Sequence, residues 1–152
     1  MFKHILLPLD GSDLAEAALA ASVELATCFD GQITLLRVVQ PALITASMGG
    51  SVYLDMLDDL ENHASEEAYT YLGSLQASLQ RRGIKVQIKV TVGSAVAEKI
   101  LETAISFNVD TIVMSTHGRG GISRWVFGSV ADKVLRQSPV PVVLIRARDG
   151  DT

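Results

Sequence analysis

Two short segments hold the residue types that could do chemistry. Leu9-Asp10-Gly11-Ser12 sets a carboxylate, a glycine and a hydroxyl in succession, and Ser115-Thr116-His117-Gly118 runs directly into Arg119-Gly120-Gly121. Glycine lets the backbone approach a ligand closely. Further on, Gly128-Ser129 opens a segment of helical pattern, and the unpaired N–H groups and dipole at a helix start favour an anion, for which phosphate is the natural candidate. The standard nucleotide motifs are absent, because GRGGIS fits neither GxxxxGK[ST] nor GxGxxG. His117 could move a proton, but no serine or cysteine nucleophile is arranged with it in a known pattern, so it reads by itself as a structural loop histidine. No residue stands out as a general base. Cys28 is the only cysteine, which excludes an intramolecular disulfide and a multi-thiolate metal site and leaves it as an inert core residue in a reducing compartment.

These segments need a scaffold, and short apolar runs alternating with longer helical patterns predict a parallel sheet covered by helices. Residues 4–9 (HILLPL) form the first strand; Ser12 and Asp13 supply capping side chains, with Glu16 completing a capping-box pattern before a helix over 14–29. Residues 32–39 (QITLLRVV) read as a buried strand, followed by a loop through Met48-Gly49-Gly50-Ser51 and a long helix to about Arg82, stopped by Gly83. The strand at 85–92 alternates Val86, Ile88, Val90 and Val92 with Gln87, Lys89 and Thr91, as expected near a sheet edge. Ser94 caps the next helix, where Ala97, Ile100, Leu101, Ala104 and Ile105 make one apolar stripe. A strand at 111–115, a loop over 116–128 in which Trp125-Val126-Phe127 packs, a helix over 129–137 and a strand at 140–146 complete the chain. Pro141 places the last strand at an edge. In such a sheet, ligands bind beyond the carboxyl ends of the strands at the switch point, here the loops after the first and fourth strands.

Size and composition narrow the classes further. A chain of 152 residues with 48% hydrophobic and 20% charged residues is an ordinary globular domain, and neither a repeat nor a linker divides it: residues 1–148 form one domain and 149–152 a polar tail. The net charge of −4 argues against a general nucleic-acid binder. No run approaches a membrane span, and the start lacks the apolar core and cleavage site of a signal peptide, so a soluble, cytoplasmic protein is expected. Charge is uneven: residues 55–67 carry six acids and no base, read as a solvated helix face, whereas 110–148 carry six bases against two acids around the glycine loop.

The stretch STHGRGGISRWVFGSVADKVLRQSPVPVVLI, together with HILLPLDGS near the start, resembles the universal stress protein family over nearly the whole chain. ATP-binding members carry G-x2-G-x9-G-[ST], kept here as Ser115, two residues, Gly118, nine residues, Gly128-Ser129, with serine replacing the first glycine. The resemblance implies an open five-stranded parallel α/β sheet with helices on both faces, similar to the adenine nucleotide alpha hydrolases. It implies that Pro8, Leu9 and Asp10 border the adenosine, that Val38 meets the adenine, and that Gly118, Arg119, Gly128 and Ser129 hold the phosphates. Ser115 and His117 belong to the same implied nucleotide-binding set, and Val130 continues its wall. Asp10 has a plainer reading as a cap on the first turn.

What the resemblance implies is ATP bound with Mg2+ as a regulatory ligand rather than a true enzyme's substrate. No metal would be held by the protein alone, although Asp10 lies where nucleotide-bound Mg2+ could sit. Two alternatives stay open: a nucleotide-free member acting through protein contacts, and a slow ATP hydrolase or phosphotransferase. Family members commonly dimerise through the last strand, so a homodimer through residues 140–146 is expected, with higher oligomers and a protein partner conceivable.

Overall fold

The computed structural model describes residues 1–41, 51–117 and 128–147. Chain order is β1 (His4–Pro8), α1 (Asp13–Phe29), β2 (Gln32–Val39), α2 (Ser51–Arg81), β3 (Lys85–Val92), α3 (Val96–Ser106), β4 (Thr111–His117), α4 (Ser129–Gln137) and β5 (Val142–Ala147). The five strands form one parallel sheet in the order β3-β2-β1-β4-β5. Both expected edges, β3 and β5, are edges.

The strands are apolar runs because the sheet is covered on both faces. Ile5, Leu7, Ile33, Leu35 and Val113 pack with α1 and α2 residues such as Ala18, Val23, Leu72 and Leu79. Their alternating neighbours Leu6, Leu36, Ile112 and Met114 pack with Ala97, Ile100 and Ala104 of α3 and Ala131 and Val134 of α4. Ile5, Leu6 and Leu7 are wholly buried, each stabilising the fold by roughly 1.5–3 kcal/mol. The chain order reverses between β1 and β4, and these two strands are in register only at Ile5–Thr111 and Leu6–Ile112, whereas β1 and β2 stay paired through Pro8–Leu36. Asp110 fastens the other end of that seam: its Oδ2 accepts from the backbone N–H of Lys3 at 2.9 Å and of His4 at 3.3 Å. The shared ends of β1 and β4 are thus tied at the amino side and open at the carboxyl side.

Several boundaries and caps differ from the sequence-based expectation. β1 stops at Pro8, although the Leu9 N–H still donates to the Leu36 carbonyl at 2.8 Å. β4 runs two residues further, to His117, because β5 pairs with it through Thr116–Arg146 and His117–Ala147, and β5 starts at Val142 after Pro141. Helix α1 is preceded by Ser12, which makes no side-chain cap because its hydroxyl is engaged by Asp10, and α3 is preceded by Ala95 rather than Ser94. Gly83 does end α2, in the left-handed conformation (φ 80°), with Ile84 N–H returning to Leu79 O at 3.1 Å. Cys28 is exposed rather than in the core, since it sits on the outer face of the last turn of α1. β3 is the half-exposed edge strand expected, and on its polar side the Gln87 amide donates to Thr34 Oγ1 on β2 at 2.8 Å. The Met48-Gly49-Gly50 loop, the Trp125-Val126-Phe127 triplet and the polar tail lie outside the described residues.

Candidate functional site

The open end of the β1–β4 seam forms a cleft of about 740 Å3, at the switch point where an open parallel sheet takes its ligands. Each element contributes by its direction. The β1–α1 turn supplies Pro8, Leu9, Asp10, Gly11 and Ser12; β2 supplies Arg37 and Val38; β4 supplies Met114, Ser115 and Thr116; and the start of α4 supplies Gly128, Ser129 and Val130. The far walls come from Ala64, Glu67, Ala68 and Tyr71 of α2 and from Val96 and Ile100 of α3.

The turn after β1 is held by its own side chains. Asp10 Oδ1 accepts from Ser12 N–H at 2.9 Å and from Ser12 Oγ at 2.5 Å, so the capping reading of Asp10 is correct, and the same carboxylate also lines the cleft. Burial pushes the Asp10 carboxyl up, but the Ser12 donors and the Arg37 charge outweigh it and hold the group below the usual carboxylate range. Gly11 takes φ +82°, a backbone that side chains rarely adopt, and this lets the chain fold back into α1. Burial, with the nearby Glu16 and Asp10 charges, pushes the Tyr71 phenol up against the pull of Arg37, so Tyr71 stays a neutral donor at neutral pH.

At the opposite end, Gly128 precedes the first turn of α4 with φ −54° and ψ 154°. Those angles suit any residue, and no described atom lies within 4 Å of where a Cβ would stand. Among the described residues neither backbone strain nor packing requires glycine there, and Gly128 lines the cleft beside the unpaired N–H groups at the start of α4. Asp132 in that first turn is paired with Arg136 Nε at 2.9 Å, which offsets its repulsion toward an incoming anion.

Of the residues singled out in the sequence, Pro8, Leu9, Asp10, Val38, Ser115, Gly128, Ser129 and Val130 meet at this cleft. His117 ends β4, where its backbone pairs with Ala147; its side chain, like Gly118 and Arg119, lies outside the described residues. Sequence reasoning missed Arg37 and Tyr71. A signal existed for Arg37, a lone charge inside the apolar run of β2, whereas the contribution of α2 depends on packing that periodicity does not reveal. No group of three His, Cys, Asp or Glu side chains able to hold a metal occurs among the described residues. No described helix is long and apolar enough to cross a membrane.

The comparisons with known proteins agree with this architecture. The model of the universal stress protein family matches residues 1–146. Universal stress protein YxiE of Bacillus subtilis is 30% identical over 149 residues, covering 96% of this chain and all (100%) of that protein. The solved structure of MJ0577, a universal stress protein of Methanocaldococcus jannaschii, is 29% identical and superposes with a TM-score of 0.81 over 99% of both chains. A universal stress protein solved in complex with cAMP, 18% identical over 95% of this chain and 96% of its own with a TM-score of 0.59, shares the fold. With the sheet order, the crevice and a family match running from β1 into β5, the chain belongs to the universal stress protein family.

Proposed function

We propose that the cleft binds an adenine nucleotide, ATP with Mg2+, as a regulatory ligand in a stress response. The observation that carries this reading is Gly128: a glycine that neither its φ nor any described neighbour requires, placed where a phosphate would meet the start of α4. Val38, Val96, Ile100, Met114 and Val130 supply an apolar surface of the kind a purine ring needs, and Asp10 and the Leu9 backbone supply acceptors for base or ribose donors. A relative of the same fold was solved with cAMP, another adenine nucleotide.

One carboxylate cannot hold a divalent ion alone, so Mg2+ would arrive on the nucleotide, where it would screen phosphate charge. The Ser12 donors both engage Asp10 Oδ1, which leaves Oδ2 to face that ion or a ribose hydroxyl. Asp10 and Glu67 are carboxylates in the cleft lining, and Asp10, held below the usual carboxylate range, is a weak general base, which supports a regulatory role over slow hydrolysis or phosphotransfer. The nucleotide-free alternative rests on Ser115, which lines the cleft at the position where ATP-binding family members carry glycine. In either case the partly exposed apolar strand β5 supports a homodimer through residues 140–146.

Mass spectrometry of small molecules released from the purified protein, with calorimetry of ATP and Mg2+, tests the proposal. Co-purified adenine nucleotide or micromolar binding is expected. The absence of both at millimolar ATP would leave the nucleotide-free reading.

A further inference from the structure

Arg37 breaks the apolar run of β2. Its neighbours on the same strand face, Ile33, Leu35 and Val39, are buried in the core under α1 and α2, where a charge is costly unless its donors are used. The side chain escapes by crossing the carboxyl end of β1. Its Nη1 donates to the Leu9 carbonyl at 3.3 Å. A Cβ on Gly11 would stand 3.6 Å from Nη1 and 4.0 Å from Nη2, so the guanidinium lies against the Gly11 backbone. Between those two residues is Asp10, whose carboxylate feels the Arg37 charge. The guanidinium therefore attends three consecutive residues of one loop, and that loop is a wall of the cleft.

We propose that Arg37 is the positioning residue of the β1–α1 turn, holding Leu9, Asp10 and Gly11 in the shape that receives the nucleoside end of the ligand. This rests on the reading of the cleft as a nucleotide site. A turn already ordered does not have to be ordered at the expense of binding energy. A planar guanidinium donates to the Leu9 carbonyl in a fixed direction while its charge acts on the Asp10 carboxylate, which a lysine point charge does less well and an aliphatic chain cannot do. The contacts of Arg37 fall on the turn read as bordering the nucleoside, with a bond to Leu9 and close approach to Gly11, so its effect belongs to that end of the ligand.

The test uses the full chain with Arg37→Met and Arg37→Lys, each checked for a native circular dichroism spectrum. Without nucleotide, the Ser12 amide should exchange with solvent about tenfold faster in Arg37→Met, and adenosine and ATP should lose affinity by the same factor, also about tenfold. Core amides such as Val113 should keep their exchange rates, which separates positioning from general destabilisation. Arg37→Lys should restore part of both effects, and it carries the test if Arg37→Met does not fold. Unchanged Ser12 exchange would overturn the proposal, as would a much larger loss for ATP than for adenosine, which would make Arg37 a phosphate contact. If the wild-type chain binds neither ligand, the nucleotide reading fails, while Ser12 exchange still decides the role of Arg37.

Discussion

Ser115 and Gly128 stand on opposite sides of the same question, how much room the cleft leaves for phosphate. No described atom stands where a Gly128 side chain would be, so Gly128→Val should fold normally yet lose ATP binding, because the branched side chain would fill the anion site at the start of α4. Wild-type affinity in a folded Gly128→Val protein would place the phosphates elsewhere. Ser115 presents the reverse case: it lies on β4, paired with Ile145, and lines the cleft. Ser115→Gly should tighten ATP binding by on the order of 1 kcal/mol, the relief of a modest steric strain. It should also cost about 0.5–1 kcal/mol of stability, since glycine loses more chain entropy in a strand. Calorimetry and thermal melts read the two effects separately, and weaker binding in Ser115→Gly would show that the hydroxyl donates to the ligand instead.

Among the elements, what the sequence made legible follows from burial. Central parallel strands are buried on both faces and therefore print as apolar runs, which is why β1, β2 and β4 were readable and their order could be placed at a switch point. Side chains that act through local hydrogen bonds were less legible. Ser12 matched a helix cap in type and position, but Asp10 took its hydroxyl, and the difference depends on a backbone turn at Gly11 that composition does not encode. Arg37 leaves a signal, a lone charge in the apolar run of β2, but the strand pattern does not say where its side chain goes. A polar group at the amino ends of the strands was also missed: His4 Nε2 lies 2.8 Å from Thr34 Oγ1 and 3.2 Å from Gln87 Nε2. With Gln87 Nε2 a donor, this geometry suits a neutral His4 that accepts at Nε2. Burial lowers the His4 pKa, and the attraction of Asp110 only partly opposes it. The unfolded chain therefore binds the proton more readily, near the ordinary histidine value of about 6.5. Stability should be full above that pH and should decline as pH falls through the lower folded value. Denaturant melts from pH 7.5 to 5 should show this slope in the wild type and a flatter line in His4→Gln; an unchanged slope in His4→Gln would assign it to other groups.

At the scale of the whole molecule, the sheet has two edges of different character. β3 ends the sheet with Lys85 and Lys89 interleaved among apolar residues, a pattern that discourages pairing with another chain. β5 carries a charge only towards its end, at Arg146: Val142, Val143, Leu144 and Ile145 run in succession, all partly exposed, and β4 is the strand they pair with. A two-fold axis would let this segment meet its own copy antiparallel, so that each edge completes the other. Pro141 removes one backbone donor at the start, which shifts the affinity toward side-chain packing. Light scattering at micromolar concentration should give twice the 16.3 kDa chain mass. Val143→Lys and Ile145→Lys should return it to the monomer value while the circular dichroism spectrum stays native. Both side chains also touch the α1–α2 core, so a substitution that unfolds the chain is replaced by Val140→Asp, which precedes the strand. A folded variant that remains dimeric would move the interface away from β5, and a wild-type mass near 16.3 kDa would leave Arg146 as the guard of a monomer's edge.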